Sequence, residues 1–530
     1  MKFRFRNYLL NLIFPSVVLG CLTGVLTALT VILFKLCANF SVEFSRLWYG
    51  YVEKNLFLIP LVIVLLFLIA LVLFRCYKRR PNLRGGGIPT SIGVLRGILP
   101  FRWFESFAGV FLLSLAGFSL GLPLGTEGPS VQIGTAVGAG SAEPLKKKHR
   151  AWKRYSMTGG ACAGFAVATG APISGILFAI EEAHEKISPM LIMVSAISVI
   201  CACITTELVS PLVGVSVSLF PYMQHVVLGL KELWIPLVIG VVGGLFAVLF
   251  LKYYKIIRKL LNKKLKNVRK TYKIFAILTA VFICGLLSFS FVSTGHELII
   301  ELTSERFPIY FLLLVLIVRS TLTLFSNAGS LTGGVFIPIL AVGAVLASLL
   351  AQGMELAFGL DKKYYELIVI LGITACIAST MKMPLTAIAF SIEALSCYNN
   401  VLSVIIVSAI SFIITEVFEA KSINESVLEG RINNLNNGEK PIVIEAAVEV
   451  KEDSFAVGKQ IRDILWPANF FVLSLEFNSD HHLEFDDHGG RTMRVGDVLN
   501  IRYSTVDPQY TKMQILAILG EQDYIENQKT

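Results

Sequence analysis

The residue with the most consequential chemistry is Glu127, in the run Gly125-Thr126-Glu127-Gly128-Pro129 within a long apolar region. An ionised glutamate near the middle of a bilayer costs at least ~2.5–3.5 kcal/mol on insertion scales, so by default it marks a functional site. Pro129 can open a helix, because the amide it lacks would be unbonded in the first turn anyway. Glu127 then stands just before a helix N-terminus, beside unbonded amides and the positive end of the dipole. That is an anion site with a competing negative charge next to it, and Glu127 is a candidate proton carrier. A second candidate is the pair Glu181-Glu182, with His184 and Glu185 close by. These charges either end a membrane helix or form an internal proton station, where partial burial brings a carboxyl group into a usable titration range. Glu393 has the same two readings and is taken as structural. Arg319, inside an apolar run, is expected to pair with a carboxylate or backbone carbonyls. Phe336 follows Gly333-Gly334-Val335, where a side chain could close one side of an anion site with amides presented to the ion.

The elements that must position these groups are interrupted helices. Gly85-Gly86-Gly87-Ile88-Pro89 at a membrane boundary cannot be regular helix. It lets backbone approach a ligand closely and leaves free amides before the next segment. The run 157–182 is broken at Gly170-Ala171-Pro172, Gly333 to Pro338 opens a helical run to about Leu350, and 365–396 is interrupted by Pro384. Apolar segments at 8–38, 56–74, 106–124, 128–140, 190–220, 233–251, 274–293, 307–325 and 400–418 complete the membrane part. An internal repeat is visible. Ala171 to Glu181 resembles Met383 to Glu393 at a constant offset of 212, which also pairs Gly160 with Gly372 and Ala163 with Ala375. Broken helices at corresponding places in two halves point to a transport site at the repeat interface.

Composition agrees. Of the residues, 55% are hydrophobic and 16% charged, which predicts a polytopic membrane protein rather than a soluble one. The nine cysteines lie in or beside apolar segments and read as free thiols. The net charge of +10 is uneven: residues 437–530 hold 9 Lys+Arg against 16 Asp+Glu. The basic clusters Lys2 to Arg6, Arg75 to Arg84, Lys146 to Arg154 and Lys252 to Lys273 sit between apolar runs, a positive-inside pattern facing the cytoplasm and anionic lipid. It argues against nucleic-acid binding. The N-terminus reads as a retained first segment rather than a signal peptide. No nucleophile–base set, phosphate-binding loop or dinucleotide fingerprint is present in the sequence, so an enzyme is not expected, nor a cofactor. His481, His482, Asp486, Asp487 and His488 read as a solvated turn rather than a metal site.

From about Lys421 the composition changes. Residues 429–441 read as a polar linker. Beyond it, strands are expected at Ile442 to Val450, Phe470 to Phe477 and Asp497 to Tyr503, with helices at Gly458 to Leu465 and Thr511 to Leu519. This is a small α+β cytosolic domain over 442–522, followed by a tail, 523–530.

These motifs resemble those of the CLC family of chloride channels and chloride/proton antiporters over roughly residues 10–428. Gly125 to Pro129 is similar to the family's GREGP, Gly85 to Pro89 to its GSGIP, and Gly333 to Pro338 to its GGxFxP. The resemblance implies an all-α polytopic membrane protein of inverted-repeat CLC fold with broken helices, over residues 1–428. It implies a homodimer with one pathway per subunit, exchanging chloride or a similar small anion for protons. Glu127 would be the gate and Glu182 the internal proton glutamate. Backbone and side chains at Gly86, Gly87, Ile88, Gly128, Val335, Phe336 and Asn424 would hold the anion. The chain departs from the pattern at three positions: Gly86 stands where the family has an anion-contacting Ser, Asn424 where it has a Tyr, and Thr126 where it has an Arg. An uncoupled anion channel, and a membrane-embedded ligand sensor with vestigial transport, are the alternatives. Residues 442–522 resemble the C-terminal lobe of RCK (TrkA-type) regulators. That implies a bacterial inner-membrane protein with both termini cytoplasmic and a cytosolic ligand sensor, a cyclic dinucleotide being one ligand class.

Overall fold

The computed structural model describes residues 13–144, 151–222, 226–435, 441–476, 483–484, 492–522 and 527–529. The expected metal-poor turn, His481 to His488, lies largely outside them, as do residues 1–12 with the first basic cluster.

Eighteen α-helices run in order through the described residues: α1 (Phe14–Lys54), α2 (Ile59–Arg79), α3 (Ile88–Leu95), α4 (Trp103–Ser119), α5 (Glu127–Ser141), α6 (Trp152–Thr169), α7 (Pro172–Phe178), α8 (Pro189–Val213), α9 (Trp234–Lys259), α10 (Lys270–Leu287), α11 (His296–Ser304), α12 (Ile309–Ala328), α13 (Phe336–Phe358), α14 (Tyr365–Thr380), α15 (Pro384–Glu393), α16 (Val401–Val417), α17 (Ile423–Leu435) and α18 (Pro508–Leu519). Among the described residues, nine helical spans are long and apolar enough to cross a membrane, and with the broken helices between them they make a multi-pass membrane protein. α1 has 41 residues, about 60 Å at 1.5 Å each, so it must tilt or project well beyond a ~30 Å hydrocarbon layer.

The breaks fall where Gly and Pro require them. Gly170 ends α6 in a left-handed conformation (φ 69°) and Pro172 opens α7; Pro384 opens α15 in the same way. One difference concerns Glu127. Helix α5 begins at Glu127 rather than at Pro129, so the carboxylate sits in the first turn and not ahead of it. Pro129 remains in that first turn, where its missing amide has no intrahelical acceptor to lose.

The repeat has a physical counterpart. The Glu393 carboxylate, at the end of α15, accepts hydrogen bonds from the Ile173 amide (2.7 Å), the Ser174 amide (3.0 Å) and the Ser174 hydroxyl (2.9 Å) at the start of α7. Glu181, beyond the end of α7, accepts from the Leu385 amide (2.8 Å), the Thr386 amide (2.7 Å) and the Thr386 hydroxyl (2.6 Å) at the start of α15. Each helix therefore ends on a carboxylate that caps the other's N-terminus. Both carboxylates face a positive dipole end, and Glu393 is structural, as expected. Arg319 is fully buried and donates to the carbonyls of Ser290 (2.9 Å), Val292 (2.8 Å) and Ser293 (3.0 Å), the backbone pairing expected from the sequence. All nine cysteines are free.

α17 continues to Leu435, seven residues into the stretch read as linker; it runs through Gly430, a single helix glycine costing only about 1 kcal/mol, and through Asn433-Asn434. The C-terminal part is an antiparallel sheet of β1 (Ile442–Glu449), β2 (Phe470–Glu476), β3 (Leu483–Glu484), β4 (Val498–Thr505) and β5 (Asn527–Lys529), in the order β3-β2-β4-β1-β5, with α18 packed on it. Alternate residues Ile444, Ala446 and Val448 of β1 and Leu499, Ile501 and Tyr503 of β4 are buried in the same hydrophobic core as Ile515 and Leu519 of α18. The helix expected at Gly458 to Leu465 is reduced to one short turn, Ile461–Asp463. That segment is spent on docking. Tyr155 at the start of α6 donates to the Asp463 carbonyl (2.5 Å) and accepts from the Leu465 amide (3.0 Å), while Arg154 donates to the Leu465 carbonyl (2.7 Å) and to Gln514 (2.8 Å). Ala468 donates to the Arg96 carbonyl at 2.9 Å.

Candidate functional site

Three backbone turns, each leading into a helix, are stitched together at the centre of the membrane part. Gly125 and Gly334 exchange two backbone hydrogen bonds (2.6 and 2.8 Å), and the Gly333 amide donates to the Gly85 carbonyl (3.3 Å). The chain can come this close only without side chains. A Cβ on Gly128 would collide with the Gly86 carbonyl, and one on Gly87 with the Gly128 carbonyl. Gly87 also adopts φ 78°, a conformation that costs a residue with a side chain about 1–2 kcal/mol. The starts of α3, α5 and α13 are thereby held side by side, with Gly86, Gly87, Ile88, Gly128, Val335 and Phe336 all in the cluster. First-turn amides have no intrahelical acceptor, so three helix N-termini present donors and positive dipole ends to one region. Ile88 is an exception: its amide closes a tight turn onto the Gly86 carbonyl (2.9 Å). Phe336 is fully buried and meets Phe165 and Phe390 edge-on, each at 5.3 Å between centroids.

Glu127 is fully buried here. Its Oε1 accepts from the Thr126 hydroxyl at 3.0 Å, and its Oε2 has no hydrogen-bond partner of normal geometry. The backbone amides of Ile337, in the first turn of α13, and of Glu127 itself point at the carboxyl group as hydrogen-bond donors, and Lys35, in the middle of the first span, acts on it electrostatically. The Lys35 ammonium donates to the carbonyls of Val167 (3.3 Å), near the end of α6, and Ser216 (3.0 Å). A lysine within a membrane helix is as costly as the glutamate, and nothing in the motif spacing marks it; only its presence inside an apolar run could have.

Glu182 is buried in a widened helical turn, Ala179–Ala183, that follows α7. Its Oε1 accepts from the Asn424 side-chain amide at 3.1 Å. Asn424, expected beside the anion, is thus paired with the second carboxylate. Arg96, at the end of α3, belongs to no motif that marks it. Its guanidinium donates to the backbone carbonyls of Glu182 (2.8 Å) and Ala183 (2.9 Å) and pairs with Glu185 at 2.8 Å. One rigid anchor therefore fixes the Glu182 backbone, and its own carbonyl receives the C-terminal part through Ala468. His184 is held by Thr158 at 2.8 Å. Glu127 and Glu182 are consequently both buried but sit on different elements, one at the start of α5 and one beyond α7.

This arrangement of broken helices is found in known proteins. Residues 66–416 match the family model described as voltage gated chloride channel. The chain is 27% identical over 429 residues to the H(+)/Cl(-) exchange transporter ClcA of Vibrio parahaemolyticus, covering 79% of this chain and 91% of that one. It is 28% identical over 432 residues to the same-named protein of Vibrio vulnificus, covering 78% and 90%. Among solved structures it is similar to a slow cyanobacterial Cl-/H+ antiporter (TM-score 0.70, 22% identity, 80% of this chain and 99% of that one). It is also similar to a CLC-type fluoride/proton antiporter (TM-score 0.60, 18% identity, 77% and 96%). The chain belongs to the voltage gated chloride channel, or CLC, family.

Proposed function

We propose that this protein exchanges chloride for protons, with Glu127 as the gate. One observation carries the reading: a fully buried carboxylate stands where three helix N-termini meet, facing their backbone amides, with one oxygen in no hydrogen bond of normal geometry. When ionised it competes with a permeating anion for the same amides. When protonated it loses that attraction, swings aside and takes a proton with it. Glu182, held by Asn424 and Arg96, receives or delivers the proton on the side of the C-terminal sheet. The names of the Vibrio relatives as H(+)/Cl(-) exchange transporters support chloride as the anion. With glycine at position 86, the anion is held by backbone amides of Gly86, Gly87 and Gly128 and of the first turn of α13, with Phe336 and Val335 closing the wall. Lys35 supplies the positive charge that Thr126 does not.

The working unit is a homodimer in the cell (inner) membrane. The basic residues Arg84, Arg258, Lys270, Lys273 and Arg431 gather at one face, which supports placing that face and the C-terminal sheet in the cytoplasm. The C-terminal sheet is the RCK-like sensor, responding to a soluble ligand such as a cyclic dinucleotide, and Arg96 is the route by which its docking reaches Glu182. The experiment is a chloride gradient imposed across proteoliposomes with proton movement recorded. Uphill proton movement is expected; robust chloride flux with no proton movement would make the protein an uncoupled channel.

A further inference from the structure

Five basic side chains line one cavity of about 170 Å³ at the membrane face nearest α17: Arg84, Arg258, Lys270, Lys273 and Arg431, with Asn262 also in the wall. No Asp or Glu lines it. Among the described residues none of the five forms an ion pair with a carboxylate. Their recorded partners are neutral. Arg84 donates to the Tyr77 carbonyl (2.7 Å), Lys273 to the Leu261 carbonyl (2.6 Å), Arg258 to the Ser426 carbonyl, and Arg431 to the Thr90 hydroxyl and the Arg84 carbonyl. Arg84 repels Lys270 and Arg431, and Lys273 repels Lys270. Like charges brought together with no counter-charge destabilise one another unless an anion sits among them.

We propose that this cavity, which adjoins the Gly85 to Ile88 turn, is a binding site for a phosphate-bearing polyanion. The chemistry fits. Guanidinium groups match phosphate oxygens in a fork, and ammonium groups add point charge. The apolar part of the wall, Phe74, Leu261 and Ile274, lies at the ends of spans α2 and α10 and in the turn after α9, the depth of a lipid headgroup. The phosphate comes either from a lipid headgroup or from a soluble phosphate ester. Occupancy reaches transport through two elements. Arg431 and Gly430 belong to α17, whose first turn carries Asn424 on Glu182. Arg84 leads directly into the Gly85 to Ile88 turn, and Asn327 to Ser330 precede α13.

The test uses purified full-length protein and two probes, inorganic pyrophosphate in detergent and phosphatidic acid in phosphatidylcholine vesicles. Each is titrated in gluconate buffer and again with added chloride, and unfolding temperature and chloride flux are recorded. Saturable stabilisation by pyrophosphate is expected, and with it an at least tenfold loss of apparent affinity in Lys270→Glu/Lys273→Glu. Stabilisation by phosphatidic acid alone supports the lipid source. Lys270→Gln/Lys273→Gln serves should charge reversal prevent folding, with the same expected loss. Absence of stabilisation by either probe, or unchanged affinity in the variant that folds, overturns the site. Displacement of pyrophosphate by equimolar chloride overturns it too, because the cavity is then only the mouth of the chloride path.

Discussion

Replacing Glu393 or Glu181 by alanine removes one half of the reciprocal clamp between α7 and α15. Each carboxylate takes two first-turn amides and one hydroxyl, with bonds of 2.6–3.0 Å. Loss of a helix cap costs ~0.5–2 kcal/mol, and a charge on a partly buried helix start adds up to ~2 kcal/mol. Together that is about 0.5–4 kcal/mol per site. Glutamine keeps one acceptor and loses the charge, so Glu393→Gln and Glu181→Gln should each cost roughly half as much. The assay is the unfolding temperature in detergent, with the exposed Glu43→Gln as control. Both single variants should fall by a similar few degrees and the control should not move. The helices are antiparallel neighbours and each carboxylate is anchored by the helix it ends. Loosening one end therefore loosens the other, and the double variant should cost less than the sum by about 0.5–2 kcal/mol. A single variant that melts with wild type, or two that differ severalfold in effect, would refute the reciprocal capping.

Other outcomes follow from the same geometry. Gly128→Ala forces a Cβ into the Gly86 carbonyl and should abolish chloride flux or folding, whereas Gly50→Ala, with open space around it, should be neutral in both flux and elution profile. Lys35→Met removes the charge acting on Glu127. Chloride flux should fall about three- to tenfold at low chloride and recover at high chloride, because electrostatic attraction raises local anion concentration; an unchanged concentration dependence would remove Lys35 from the anion path. Asn424→Leu deprives Glu182 of its side-chain donor, a loss of about 1–3 kcal/mol, so proton flux should change at least severalfold with chloride flux less affected. An unchanged proton-to-chloride ratio would count against a link between Asn424 and the proton path.

Much of this was legible before any coordinates. Single Gly or Pro residues ride inside the membrane helices, as Gly240, Gly243 and Pro211 do, but Gly clustered with Pro does not, so the breaks at Gly85 to Pro89, Gly125 to Pro129, Gly170 to Pro172 and Gly333 to Pro338 could be located from residue types. The constant offset between Ala171–Glu181 and Met383–Glu393 exposed the repeat. What the offset did not reveal is that the two terminal glutamates cap each other's helices, because capping across the repeat depends on an antiparallel pairing in space. Asn424 was placed by motif order beside the anion; its amide is on Glu182 because α17 crosses the end of α3 near the turn after α7. Arg96 and Lys35 carry no local signature, and their partners lie 86 and 132 residues away. In the C-terminal part, β1, β2 and β4 fall on the strands expected from the sequence, but the segment before Leu465 yields its helix to docking contacts with Tyr155 and Arg154 that no local pattern encodes.

The central claim is that Glu127 carries both the gate and the proton. Chloride-driven proton movement through Glu127→Gln in proteoliposomes tests it most directly, with chloride efflux measured in the same vesicles. Chloride should still flow and the proton movement should vanish, because the glutamine can neither bind nor release a proton; proton movement at the wild-type ratio would contradict the account.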